Sequence, residues 1–323
     1  MSPHRRALLS TLVAILGLTA CSTSVQQMPS LQPASTVQAT TSVESQPTAT
    51  PEPATVAGSL LFIDKGDIYV HKGTQATQLT NTPATESFPS WSADGSRVLF
   101  TRENDVGESD LFAVNADGSG EKQLTKTTMN EELGAWSPDG RIVAFSTFTE
   151  ARGGSVWLMN ADGTKPHIIY SEQSAFVGLA DWAPDGRSLL ITIDRGGGGQ
   201  LDLYSIEVNG KGLTQLTSAS GDDSGGRWSP NGERIVFWSD GNPQGAGIYL
   251  MSPDGSDQRK ILEDTLDANT VAPAWSPSGD QIAWTAKFEG GGGSPIFLMA
   301  SDGSGVQRVR GQLAQASTLD WSR

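Results

Sequence analysis

The chain is predicted to be all-β, a six-bladed β-propeller with four antiparallel strands per blade. Three observations predict it: a tryptophan recurring at a nearly fixed interval, a tight turn after that tryptophan, and two chain ends that each hold part of one repeat. Trp91, Trp136, Trp182, Trp228, Trp275 and Trp321 are separated by 45, 46, 46, 47 and 46 residues. Five of them are followed by "SADG", "SPDG", "APDG", "SPNG" or "SPSG". A four-stranded unit repeated at this period marks a propeller blade.

Each strand of the unit has its own signal. The first strand ends on the Trp. The turn follows, and nine residues after the Trp a large apolar residue marks the second strand: Phe100, Phe145, Ile191, Phe237 or Trp284. The third strand reads "SDLFAVN", "GSVWLMN", "LDLYSIE", "GIYLMSP" or "PIFLMAS". A second turn such as "ADGS" or "VNGK" leads to a fourth strand such as "KQLT", "HIIY", "TQLT" or "RKIL". Glycine, 37 of 323 residues, is enriched because tight hairpins demand positive φ, which Gly enters without steric cost. A buried Trp hides on the order of 200 Å², so the six repeat tryptophans are read as core.

The two ends complete each other. Residues 60–80, "LLFIDKGDIYVHKGTQATQLT", supply strands two to four of a blade without the Trp strand, and residues 317–323, "STLDWSR", supply a Trp strand with nothing after it. Joined, they make a sixth blade and a clasp that removes two exposed edges.

The segment before the repeats has a different character. His4, Arg5 and Arg6 precede an apolar run from Ala7 to Leu18, then Thr19, Ala20 and Cys21. The run has the length of a signal-peptide core and is short of the ~20 residues that span a bilayer. Leu18-Thr19-Ala20-Cys21 resembles the bacterial lipobox. The resemblance implies removal of residues 1–20 and acylation of Cys21, the chain's single cysteine. Residues 21–57 then form the lipidated Cys and a tether rich in Ser, Thr, Pro and Gln, unable to bury enough apolar surface to fold. The propeller is expected over 58–323.

The repeat as a whole, "WSPDGRIVAF" followed by "SVWLMNADGT", resembles the TolB-like propeller repeat, a WD-like unit also found beside the catalytic domains of prolyl oligopeptidases and dipeptidyl peptidases. The likeness covers 58–323 and implies the propeller fold and an extracytoplasmic setting in the cell envelope. TolB carries an α/β domain before its propeller where this chain has the lipobox and tether, so the resemblance implies the fold rather than a place in the Tol-Pal system.

Charge and chemistry narrow the function. Loss of residues 1–20 removes two basic residues and leaves 20 against 36 acidic, a net of −16. Nucleic acid is disfavoured, since phosphates need basic patches. Ser224 in "GDDSGG" resembles a serine-protease nucleophile loop, but it occupies an ordinary blade position, four residues before Trp228. The mature chain's two histidines, His71 and His167, offer it no recognisable base. No Gly-x-Ser-x-Gly elbow follows the propeller, and two histidines match poorly the several that pectate-fragment lyases of this family use. The Gly runs at 196–199 and 290–293 lack the Lys-Ser or Lys-Thr of a phosphate loop.

What remains is an acidic rim. The loops joining strands two and three, and one blade to the next, hold Glu86, Glu103, Asp105, Glu108, Glu131, Glu150, Glu172, Asp194, Asp222, Asp223, Asp240, Asp264, Asp267 and Glu289, against Arg102, Lys126, Arg152, Arg195 and Lys287. Glu86, Glu131, Asp222 and Asp223 are the candidate partner-binding residues, and Glu86, Glu131 and Asp223, five residues before their Trp, are expected to ring the mouth of the central channel. The expected function is non-catalytic binding of an envelope protein or cationic ligand by a monomer. Two alternatives stand beside it: a hydrolase or lyase with a rim site, and a scaffold docking through the propeller sides. No catalytic residue or cofactor is expected; Ca²⁺ suits the carboxylates, without an EF-hand-like spacing to support it.

Overall fold

The computed structural model describes residues 56–73, 75–149, 151–195, 200–263, 271–285, 295–309 and 319–322. The signal segment, Cys21, the tether up to residue 55, both glycine runs, and Glu150, Asp264, Asp267, Lys287 and Glu289 lie outside them.

Among the described residues every regular element is a strand. They run β1 (Val56–Asp64), β2 (Asp67–Gly73), β3 (Gln75–Gln78), β4 (Glu86–Trp91), β5 (Arg97–Glu103), β6 (Ser109–Asn115), β7 (Lys122–Gln123), β8 (Asn130–Trp136), β9 (Ile142–Thr149), β10 (Gly153–Asn160), β11 (His167–Glu172), β12 (Phe176–Trp182), β13 (Ser188–Asp194), β14 (Asp202–Glu207), β15 (Thr214–Gln215), β16 (Asp223–Trp228), β17 (Ile235–Ser239), β18 (Gly247–Met251), β19 (Arg259–Glu263), β20 (Val271–Trp275), β21 (Gln281–Thr285), β22 (Ile296–Ala300), β23 (Gln307–Arg308) and β24 (Asp320–Trp321). Six antiparallel sheets result, and the first is β24-β1-β2-β3. The C-terminal strand therefore completes the N-terminal blade, as the broken ends imply. β1 opens at Val56, two residues before the expected start.

The Trp-bearing strands β24, β4, β8, β12, β16 and β20 contact one another in a closed cycle, so they are the inner strands around the axis. All six repeat tryptophans are buried. Trp182 Nε1 donates to Ala135 O at 3.1 Å and Trp275 Nε1 to Arg227 O at 3.1 Å, each reaching the inner strand of the blade before it. These two Trp thus fasten blade to blade as well as filling the core, whereas the indole N–H groups of Trp91, Trp136 and Trp228 are buried without a partner.

The apolar residue nine after the Trp also has a repeated partner. Phe100 lies opposite Phe112, Phe145 opposite Trp157, Phe237 opposite Tyr249 and Trp284 opposite Phe297. Their ring centroids stand 5.4–6.0 Å apart, and Phe62 with Tyr69 repeats the pair in the first blade at 5.4 Å. Cross-strand aromatic pairs stabilise a sheet beyond their area alone. In the fourth blade Ile191 faces Tyr204 instead.

The outer strands are shorter than the sequence suggests. β7, β15 and β23 have two residues each. In β7 and β15 pairing stops where a Leu turns inward: Leu124 N–H bonds Leu111 O at 2.8 Å, and Leu216 N–H bonds Leu203 O at 2.8 Å. Short edge strands limit unwanted pairing with other chains.

One core position breaks the pattern. By register, Val114, Met159, Ile206, Met251 and Met299 occupy one site in five blades, and His71 occupies it in the first. His71 is buried with no partner on either ring nitrogen, and burial lowers its pKa. An unpaired buried polar group costs about 1–3 kcal/mol. His71→Met should therefore raise the urea midpoint. The gain should grow below pH 6.5, where the unfolded chain takes up a proton that folded His71 resists. An equal or lower midpoint in the variant would show that His71 has an unseen partner.

Candidate functional site

Five of the six inner strands bend before the Trp. The register slips between Ser87 and Ser90, Glu132 and Ala135, Leu179 and Asp181, Ser224 and Arg227, and Val271 and Ala274. Three bulges place a left-handed residue three before the Trp: Phe88 (φ 52°), Leu133 (φ 47°) and Gly225 (φ 63°). Glycine takes this conformation freely, whereas Phe and Leu hold it at a cost of about 1–3 kcal/mol each. Phe88 and Leu133 line a small axial cavity of about 40 Å³ together with Asp181, Arg227 and Asp320. Asp181 accepts the Trp228 N–H at 2.9 Å and Asp320 the Trp91 N–H at 2.6 Å, so both carboxylates tie neighbouring inner strands together.

The carboxylates expected at the channel mouth sit elsewhere. Glu86, Glu131 and Asp223 are 0%, 0% and 1% exposed. Each opens an inner strand and points back into the blade before it. Thr80 and Thr82 donate to Glu86 at 2.9 and 2.6 Å. Thr125 and Thr127 donate to Glu131 at 3.2 and 2.6 Å. The first Thr of each pair also takes a backbone N–H of the third strand, from Ile68 and Leu111. A second acid completes each network: Asp67 accepts from Gln78 and from Thr82 N–H, and Asp110 accepts from Gln123 and Thr127 N–H. These are interblade locks, inaccessible to a partner in the folded chain.

The sequence carries a signal for them. "QLTNTPATE" and "QLTKTTMNE" place Gln, two threonines and the Glu at constant spacing. "QLTSASGDD" is a third copy with Ala219 and Asp223 in place of the second Thr and the Glu.

The locks differ in charge balance. Glu86 meets Arg102 Nε at 2.9 Å, and the same guanidinium holds Glu121 bidentately at 2.7 and 2.8 Å while lying 4.6 Å over Phe112. Thr147 stands opposite Glu131 where Arg102 stands opposite Glu86. Burial then pushes Glu131 up to about 7, with Asp110 raising it further and the threonines pulling it down. Burial alone raises the adjacent, half-buried Glu132 to about 7.

Asp222, the fourth candidate, is half-buried. It accepts the Leu201 N–H at 2.9 Å, and its own N–H donates to Asp240 at 2.6 Å. Burial raises its pKa, helped by Asp240, Asp194 and Asp223. Glu103, Asp105 and Asp240 are exposed. Two of the loop arginines are committed elsewhere, while Arg152 is exposed and joins none of the ion pairs among the described residues. Arg102 is held as above, and Arg195 bonds Glu172 at 2.9 Å and Tyr204 Oη at 2.7 Å. Ser224 lies half-buried in β16 opposite Trp238. His167 bonds only the Lys165 carbonyl, at 3.2 Å, so neither histidine approaches Ser224 as a base. Among the described residues no three His, Cys, Asp or Glu side chains are grouped to hold a metal ion.

Six four-stranded blades, their inner strands in a closed cycle, define a six-bladed β-propeller. The comparisons refine this: residues 116–265 match the family model of the TolB beta propeller domain. A Tol-Pal system protein TolB from Anaeromyxobacter dehalogenans (strain 2CP-C) is 35% identical over 109 residues, 33% of this chain and 23% of that relative. The chain thus spans under a quarter of that relative's length. The crystal structure of TolB from Acinetobacter baumannii superposes with a TM-score of 0.69 at 15% identity, covering 84% of this chain and 68% of that one. An oligogalacturonate lyase in complex with manganese shares the fold at a TM-score of 0.51 and 14% identity, over 78% of this chain and 74% of that one. This chain is a TolB-like β-propeller.

Proposed function

We propose that the chain is an extracytoplasmic binding module, anchored through a lipidated Cys21, that takes a basic or cationic envelope partner on its acidic loop rim. One observation carries the reading. Glu103, Asp105 and Asp240 are exposed and join none of the ion pairs among the described residues, against two such bases, Lys126 and Arg152, while Arg102 and Arg195 are bound to the chain's own acids. The rim's outward field is therefore negative and steers cations. The relative from Anaeromyxobacter dehalogenans is a Tol-Pal system protein, which supports a protein of the envelope as the partner.

The test uses the full chain in its native envelope. Cross-linking from the rim should capture a basic partner at low salt, and the yield should fall as salt screens the field. Glu103→Ser with Asp105→Ser should lower the yield similarly, and Cys21→Ser should release the chain from the membrane fraction. Undiminished capture by the double variant would sink the acidic-rim reading. Retention of the Cys21→Ser chain in the membrane would sink the anchor.

A further inference from the structure

Three copies of the interblade lock allow the third to be read against the other two. In the copy between the fourth and fifth blades, Asp202, Gln215 and Thr217 stand where Asp67, Gln78 and Thr80 stand in the first. Gln215 Nε2 donates to Asp202 Oδ2 at 3.1 Å, and Leu203 N–H donates to Thr217 Oγ1 at 2.9 Å. The backbone frame is retained: Asp223 N–H bonds Leu201 O at 2.7 Å. Two side chains have shrunk. Asp223 is one methylene shorter than Glu, and Ala219 has neither the hydroxyl nor the methyl of Thr82 and Thr127.

The shortening leaves polar atoms stranded. Both Asp223 carboxylate oxygens, Asp202 Oδ1 and Ser239 Oγ are buried without a hydrogen-bond partner. Asp223 is 1% exposed and Ser239 fully buried. Ser239 lies opposite Asp223 across the β16–β17 pair, so its hydroxyl belongs to the same niche. The Ser239 and Thr217 hydroxyls and the Ala219 N–H lie close enough to draw the Asp223 pKa down, but none closes a bond of normal length and angle on its oxygens. No base compensates: the cation that the first copy finds in Arg102 is replaced here by Ser239. Arg195, the base that acts on Asp202, is bonded to Glu172.

Buried carboxylate oxygens without donors carry a heavy desolvation cost unless a counter-charge meets them. The atoms offered are all hard oxygens, two carboxylates and two hydroxyls, the donor set of a hard divalent cation rather than of zinc or copper. We infer that the niche between the fourth and fifth blades, walled by Asp202, Asp223, Thr217 and Ser239, binds a calcium- or magnesium-type cation that joins the two blades. The electrostatics agree. Burial and the neighbouring Asp223 raise Asp202 to about 6, and burial raises Asp223, as expected of acids deprived of a counter-ion. With two carboxylates the affinity should fall in the weak extracellular range, on the order of 10⁻⁴–10⁻³ M.

The niche is separate from the loop bearing Glu103 and Asp105, so its test is independent of partner capture. The purified full chain is melted in EDTA, then with Ca²⁺ or Mg²⁺ titrated to several millimolar at constant ionic strength. The midpoint should rise by several degrees with one of the ions, growing with the logarithm of its concentration once that exceeds the Kd. Asp223→Asn should weaken the fitted Kd at least tenfold. The paired change Ala219→Thr with Asp223→Glu rebuilds the lock of the other two copies. It should melt in EDTA as high as the ion-loaded parent and ignore both ions. A parent chain that melts alike in EDTA, Ca²⁺ and Mg²⁺ overturns the inference, and so does an ion response that survives in the rebuilt lock.

Discussion

A chain ending before Leu319 should lose most of its stability, with a urea midpoint far below that of the intact chain or no cooperative transition at all. Leu319 and Trp321 are 1% and 3% exposed and pack with Leu60, Phe62, Leu298 and Val309, so the clasp joins the first and sixth blades through one core. Polar contacts add direction. Ser322 N–H bonds Ser59 O at 2.8 Å, Ser59 N–H bonds Ser322 Oγ at 3.0 Å, and Asp320 accepts the Trp91 N–H of the second blade at 2.6 Å. Gly58 (φ 84°) permits the approach: a Cβ there would stand 3.3 Å from Trp321 Nε1. Truncating a buried Trp costs about 3–5 kcal/mol, against a total of about 5–15 kcal/mol for a typical domain. Trp321→Ala is the milder form of the test. It should open the amides of β1 and β4 to hydrogen exchange before those of β12 and β13, on the far side of the ring. Midpoints unchanged in both variants would mean that the ring does not depend on its last strand.

The clasp was legible because both ends advertise a missing part, and a closed ring of blades is the arrangement that leaves neither end unpaired. The Trp period, the hairpin turns and the apolar residue nine after the Trp were legible for a related reason: each recurs in one register, and the structure gives each one repeated contact. Position along the strand was equally clear for Glu86, Glu131 and Asp223, five before the Trp. Their direction was not. An inner-strand residue alternates between two blade faces, and a bulge three residues before the Trp resets that alternation, so a carboxylate next to the rim can point inward as well as out. The inward direction of Glu86 and Glu131 follows from Thr80, Thr82, Thr125 and Thr127 around them. The shortness of the outer strands was hidden for a similar reason, since "QLT" reads as strand while its Leu already turns inward.

The lock at Glu131 predicts the second large effect, an inverted pH dependence. Its folded pKa, about 7, lies above the ordinary carboxyl value of 4.5 because burial dominates and Arg102 has no equivalent here. Its contribution is therefore fully present below about pH 4.5 and is lost as pH rises through 7, because the unfolded chain releases a proton that the folded chain retains. A shift of this size is worth on the order of 3 kcal/mol at ~1.4 kcal/mol per pH unit. The half-buried Glu132 acts in the same direction with a smaller share. A protonated Glu131 can donate to Asp110, which raises its pKa both by charge and as an acceptor. Glu131→Gln fixes that donor at every pH. The parent chain should thus be less stable at pH 8 than at pH 5.5. Glu131→Gln should match it near pH 5 and exceed it at pH 8, cutting the slope by about half. Glu86→Gln should do the reverse and lower the midpoint at pH 8, since it removes the charge that Arg102 meets at 2.9 Å. Parallel pH profiles for all three chains would show that Glu131 is ionised in the fold and that the Thr125 and Thr127 hydroxyls satisfy its charge unaided.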